Sequence, residues 1–164
     1  MNMDNANDQP QRKATRLAEY NYSTPSAYFV TICTDGHREI FGDVRDGLVA
    51  PSNMGQLALD CWREIPGKWK PIELDVYVVM PNHIHGILLL ADVGGKLPSL
   101  GKAINWYKAT VTKLIRKQRR DPGFIVWQRN YYDHIVRDDD DLARIRDYIA
   151  LNPGRWEEDE FYAR

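Results

Sequence analysis

The stretch "PNHIHG" (81–86) places two imidazoles two residues apart inside a run of Val, Ile and Leu. On an extended strand alternate side chains share a face, so His83 and His85 project together while Ile84 points the other way. Two imidazoles held side by side can chelate one divalent cation. In the packing explanation, one is a satisfied core residue and the other is exposed. A chemical role needs partners elsewhere, and "DYIALNP" (147–153) offers two. Tyr148 and Asn152 are four residues apart, so they share one helical face beside the stripe Leu142, Ile145 and Ile149. Taken alone, each also has a packing explanation. Tyr148 fits an amphipathic edge, and Asn152 precedes Pro153, a position that avoids helical geometry.

Holding these four side chains demands particular elements. "AYFVTICT" (27–34) is apolar, aromatic and β-branched, which predicts a strand. "DGHREIFGDVRDGLVAP" (35–51) has Gly-containing turns and predicts a hairpin-like excursion. In "SNMGQLALDCWREIP" (52–66), Ser52 can cap a helix carrying Met54, Leu57, Ala58, Cys61, Trp62 and Ile65 at helical spacing, with Pro66 as its stop. "IELDVYVVM" (72–80) and "HIHGILLL" (83–90) predict two strands joined at Pro81-Asn82. A helix follows from about Leu100 to Arg119, with Ile104, Tyr107, Val111 and Leu114 on its apolar face and Lys113, Arg116, Lys117 and Arg120 opposite. "FIVWQRNYYDHIVR" (124–137) predicts another strand. "DDDDLARIRDYIALNPG" (138–154) predicts a helix with acids at its positive end and a Pro-Gly stop. Strand, helix, strand, strand, helix, strand is the split βαβ order of an α+β, ferredoxin-like fold: an antiparallel sheet with helices on one face, plus a C-terminal helix carrying Tyr148. Residues 1–18 read as a flexible arm and 19–164 as a single domain.

The 164 residues suit one domain, and 43% hydrophobic with 27% charged residues is a globular profile. Cys33 and Cys61 form neither a disulfide framework nor a metal-ligand spacing, which points to a reducing, cytoplasmic home. The polar N-terminus has no apolar core of a signal peptide, and the apolar runs are too short to span a membrane, so no membrane partner is expected. A net charge of −1 hides an uneven distribution. Residues 101–120 hold seven basic residues and no acid, whereas 133–147 hold six Asp against three Arg. The first of these stretches can attract phosphate.

"YVVMPNHIHGILLL" together with "WQRNYYDHIVRDDDDLARIRDYIALNPGRW" resembles the single-tyrosine HUH transposases, and more closely the REP-associated tyrosine transposases. The similarity runs from about Arg16 to Trp156 and includes "AYFVTICTDGHREIFG" and "INWYKATVTKLIRKQ". The resemblance implies that His83 and His85 are the family's metal-binding histidines, Tyr148 its nucleophile and Asn152 the residue completing the metal site. Insertion-sequence relatives commonly carry Gln at that last position, so Asn152 has a reach shorter by one methylene. The implied activity is cleavage and rejoining of single-stranded or hairpin DNA through a 5′-phosphotyrosine ester that leaves a free 3′-OH.

A covalent ester conserves the energy of the broken phosphodiester and splits one transfer into two reversible steps. A phenol is a poor nucleophile at its free pKa of about 10, so it needs deprotonation or an activated phosphate. A divalent ion on three neutral ligands keeps its charge and can polarise a phosphate oxygen. Imidazole ligands alone would point to Zn²⁺ or Ni²⁺; the resemblance implies Mg²⁺ or Mn²⁺. The expected DNA-binding residues are Lys102, Lys113, Arg116, Lys117, Arg120, Trp127 and Arg129, with the basic helix tracking the backbone. Trp106, Tyr107, Trp127, Tyr131 and Tyr132 are candidates for stacking on unpaired bases, a contact typically worth about 1–3 kcal/mol. The expected location is cytoplasmic and nucleoid-associated, and the assembly is either a monomer or a homodimer that shares its tyrosines. Two other classes compete: a non-catalytic binder of repetitive extragenic hairpins, and a metal hydrolase using the histidines and water.

Overall fold

The computed structural model describes residues 26–92, 94 and 98–162; the expected N-terminal arm lies outside them. Four strands form the main sheet: β1 (Ser26–Cys33), β4 (Ile72–Val79), β5 (His83–Leu90) and β6 (Tyr132–Ile135), in the order β4-β5-β1-β6. Every neighbouring pair is antiparallel. With β1 and β5 central, this is the strand order of the split βαβ sandwich. The excursion is a separate hairpin of β2 (Gly42–Arg45) and β3 (Leu48–Pro51). Its turn residues Asp46 and Gly47 both have positive φ, 52° and 72°, as an Asp-Gly hairpin turn requires.

Strand parity divides the side chains between two cores. Tyr28, Val30 and Ile32 face α1 (Asn53–Arg63) and α3 (Leu100–Arg119), meeting Ala58, Trp62, Ile104 and Tyr107. Phe29 and Ile87 face the other way and meet Ile145 and Ile149 of α4 (Asp139–Leu151). The two core helices therefore share one face, as expected, and the additional helix covers the opposite one. Because both faces are covered, β5 is buried almost throughout, which explains its unbroken apolar run.

The helix boundaries have local causes. Ser52 Oγ accepts from Gly55 N (3.1 Å) and starts α1. Pro66 does not simply stop that helix; it sits in the first turn of a short α2 (Ile65–Lys68), where its missing N–H costs nothing. Arg120 ends α3 in the left-handed conformation (φ 56°). Asp138 caps α4 by accepting from Asp141 N (2.8 Å), and three aspartates occupy the first turn beside the helix's positive end.

A further expectation needs correction. Residues 124–131 are a loop rather than the first half of a long strand; only Trp127 makes an isolated bridge, to Thr34. Val126 and Trp127 enter the helix-side core, and Lys108 Nζ binds the carbonyls of Gln128, Arg129 and Asn130, so tertiary contacts override the β propensity of "FIVW". On α3 the apolar stripe includes Leu114, partly buried against the core as expected, and extends to the buried Ile115. No helix among the described residues is long and apolar enough to cross a membrane.

Candidate active site

Strand β5 begins with His83, so both histidines lie at the end of the sheet where β1 finishes, paired with Cys33 and Thr31. Their rings are 4.4 Å apart between centroids and both are buried. Each is held by a neighbour. Asn82 is wholly buried, and its Nδ2 donates to the carbonyls of His37 (3.1 Å) and Phe161 (2.6 Å). That orientation turns Asn82 Oδ1 to His83 Nδ1 at 2.8 Å, which places the ring's proton on Nδ1 and the lone pair on Nε2. His85 Nδ1 lies 2.9 Å from Thr31 Oγ1. The tautomer a metal requires, with Nδ1–H donating to that hydroxyl, leaves His85 Nε2 free to ligate.

Helix α4 brings the remaining groups over the pair. Tyr148 Oη is 3.3 Å from His85 Nε2, and the ring packs edge-on to Phe29. The residue is 42% exposed and lines an open pocket with Asn152, Arg155 and Asp159. Asn152, buried at the C-terminal end of α4, donates through Nδ2 to Asp159 Oδ2 (2.7 Å). Two buried atoms are left without a hydrogen-bond partner here: His83 Nε2 and Asn152 Oδ1. Both are lone-pair atoms that can ligate a metal, and unpaired acceptors in a buried polar site are compatible with a bound ion. These residues therefore fit a divalent cation.

The electrostatics agree with that reading. Burial, reinforced by the charge of His37 and opposed by the Asn152 side chain, pushes His83 down to about 3. Burial, then the neighbouring His83, holds His85 well below the ordinary imidazole value. Both rings are therefore neutral at physiological pH, as ligation needs. Tyr148 is pushed up to about 12 by burial and by Asp159 and Glu160.

Most of the basic residues expected to bind DNA gather on the other face of the sheet. The C-terminal half of α3 and the loop after it enclose an open groove of ≈ 880 Å³, lined by Lys113, Arg116, Lys117, Arg120, Trp127 and Arg129 among others. Lys102 is absent from this lining; it lies eighteen residues before Arg120, about 27 Å along the helix. Trp127 is only 8% exposed, packs on Phe41 and Tyr107, and donates Nε1–H to Lys108 O (3.1 Å), so it is a wall of the groove. Tyr107 and Tyr131 are likewise buried, while Tyr132 is 51% exposed.

Groove and histidines nevertheless meet at one end of the sheet. Gln128 N donates to Cys33 O (3.0 Å), and Gln128 Nε2 contacts His37 Nε2 (2.8 Å). His37 stacks on Phe161, whose ring lies 4.8 Å from that of His83. Sequence reasoning did not single out Thr31 or Asp159, and it read Asn82 only as a turn residue. The position of Asn82 directly before a buried histidine was the one available signal.

No family model matches the chain. It is 36% identical to an uncharacterized protein of Haemophilus influenzae, over 92% of this chain and 93% of that one. A second Haemophilus influenzae protein, described as "Putative REP-associated tyrosine transposase", is 31% identical over 93 residues; the match covers 51% of this chain and half (50%) of that one. The fold is similar to that of a REP-associated tyrosine transposase solved bound to a REP hairpin, with a TM-score of 0.63 at 20% identity, covering 85% of this chain and 74% of that one. It is also similar to a crystal structure described as a "putative transposase" from Deinococcus radiodurans, with a TM-score of 0.51 at 16% identity, covering 82% of this chain and 94% of that one.

Proposed function

We propose that the chain is a REP-associated tyrosine transposase, as its likeness to a relative so described and to the fold of another supports, and that it cleaves and rejoins hairpin-containing single-stranded DNA through a covalent 5′-phosphotyrosine intermediate, with a divalent ion assisting. The observation that carries this reading is the hydroxyl of the partly exposed Tyr148, 3.3 Å from His85 Nε2 of the buried imidazole pair. In the forward step Tyr148 Oη bonds to phosphorus as the P–O3′ bond breaks. The phenol proton passes to solvent, and the departing 3′ oxygen takes one up to become the free hydroxyl. Attack by a 3′-OH on the ester reverses this and joins the strand, so no water-driven loss of bond energy is needed.

His83, His85 and Asn152 would hold the ion, Mg²⁺ or Mn²⁺. When bound it supplies a positive charge that polarises a non-bridging phosphate oxygen. The protein's own part is to keep both imidazoles neutral and oriented through Asn82 and Thr31, and to place the phenol beside them. The groove on α3 supports a backbone-binding role for Lys113, Arg116, Lys117, Arg120 and Arg129.

The test mixes the protein with labelled single-stranded hairpin DNA and Mn²⁺ and resolves the products on a denaturing protein gel. A covalent band is expected in wild type, absent with EDTA or His83→Ala, and absent in Tyr148→Phe although that variant still binds the DNA. Tight binding of a hairpin panel by wild type with no covalent band would sink the enzyme reading and favour a non-catalytic hairpin binder.

A further inference from the structure

The C-terminal segment brings a charged donor into the space where the metal site has only neutral ones. We propose that Asp159 is the anionic ligand of the metal site, because His83, His85 and Asp159 each present a donor atom and all three atoms lie within 4.8 Å of one another. The role of the ion rests on the tyrosine-transfer reading; the ligand geometry does not.

Asp159 follows the 3-10 helix Pro153–Glu158, and its N–H donates to Trp156 O (3.1 Å), which closes that turn. Its carboxylate already makes two bonds: Oδ2 accepts from Asn152 Nδ2 (2.7 Å) and Oδ1 accepts from Phe161 N (2.7 Å). A carboxylate offers about four lone-pair sites, so both oxygens keep capacity for a cation. The bond from Asn152 also commits that amide's nitrogen, leaving Oδ1 as its orphaned, buried acceptor. The unpartnered Nε2 of the fully buried His83 is the second unfilled position.

Phe161 ties the same segment to the histidines. Its carbonyl accepts from Asn82 Nδ2 (2.6 Å), the side chain that also orients His83. One buried asparagine thus sets both the histidine ring and the backbone carrying the carboxylate. Two imidazoles and one carboxylate leave several coordination positions open. The added negative charge shifts the preference toward hard, oxygen-seeking cations such as Mg²⁺ and Mn²⁺. Filling the site therefore also fastens residues 159–161 onto the end of the sheet.

The test is Mn²⁺ titration of the whole protein without DNA, read from the electron paramagnetic resonance signal of free Mn²⁺. Wild type, Asp159→Asn, Glu160→Gln and His83→Ala would be compared, with circular dichroism melts to establish folding. Asp159→Asn is expected to weaken binding about 10–100-fold, Glu160→Gln to leave it nearly unchanged, and His83→Ala to abolish it. Wild-type affinity in Asp159→Asn alongside lost affinity in His83→Ala overturns the assignment and leaves the tyrosine-transfer reading intact. Equal weakening in Asp159→Asn and Glu160→Gln also overturns it, since a general acidic field would then be responsible. No Mn²⁺ binding by wild type overturns both this assignment and the metal assistance proposed above. A measurement needing no variant is hydrogen exchange at the Phe161 amide of wild type: Mn²⁺ should slow it, and unchanged exchange counts against the assignment.

Discussion

His83 and His85 share a face but are held by different partners. Asn82 fixes the first ring through a bond within the buried "PNHIH" turn, while the second depends on a hydroxyl from the neighbouring strand, Thr31 Oγ1 at 2.9 Å. Thr31→Val keeps the volume and removes that partner, leaving a buried Nδ1–H unpaired and the ring free to take the wrong tautomer. The expected result is a covalent-adduct yield about 10–100-fold lower at limiting Mn²⁺, recovering as Mn²⁺ is raised, because the nucleophile is untouched. An adduct curve that overlays wild type at every Mn²⁺ concentration would show that Thr31 has no orienting role.

Helix α4 carries Tyr148, so its seating decides where the proposed nucleophile points. Asp141 sits in the first turn and accepts from His134 Nε2 (2.8 Å), from Arg137 N (3.1 Å) and from the Arg144 guanidinium. It therefore joins the end of β6 to the start of α4. The bond from His134 and the backbone bond from Arg137 pull its pKa from the ordinary 3.8 to about 2. A depressed carboxylate pKa stabilises the fold above the unfolded value, and the benefit fades as pH falls through the folded one. Asp141→Asn is expected to lower the urea midpoint fully above about pH 4, with the gap to wild type closing toward pH 2. A constant gap across that range would contradict the linkage. Strand β5 has its own constraint at Gly86, where an added Cβ would lie 2.4 Å from Cζ2 of the fully buried Trp62. Gly86→Ala should cost about 1–3 kcal/mol by overpacking, read as a lower denaturation midpoint, and it should disturb the adjacent His85.

Taken whole, the molecule keeps the basic groove apart from the tyrosine and the histidine pair. The basic groove is built on α3 and Tyr148 lies on α4, and the two regions are linked at the sheet end by the contacts Gln128–His37, His37–Phe161 and Phe161–His83. Charge removal on the groove should therefore weaken capture without damaging the transfer step. The triple variant Lys113→Gln, Lys117→Gln, Arg120→Gln is expected to reduce the salt dependence of hairpin binding by about 2–3 in the log–log slope. At saturating DNA its adduct rate should match wild type. An unchanged slope would remove these residues from the DNA path.

The chain's own periodicities settled what lies within one element. Strand parity put His83 and His85 on one face, and helical spacing put Tyr148 beside Asn152, because both depend only on backbone repeat. Their resemblance to a family pattern is what suggested the chemistry proposed for them. The ferredoxin-like order of strands and helices was equally readable from alternating apolar runs and turns. What parity cannot say is which layer covers a face, and a sheet apolar on both sides left the side taken by α4 open until Ile145 and Ile149 were seen against Phe29 and Ile87. Relations between elements escaped for the same reason. Lys102 shares α3 with Arg120 yet lies outside the groove, and Trp127 looked available for bases but is packed against Phe41 and Tyr107. Asp159 stands seventy-six residues after His83, in a stretch with no periodic signal, and reaches the histidines only because the chain turns back after Asn152. Local repeat determines direction along an element; distance between elements is decided by packing and register, which exist only in the folded chain.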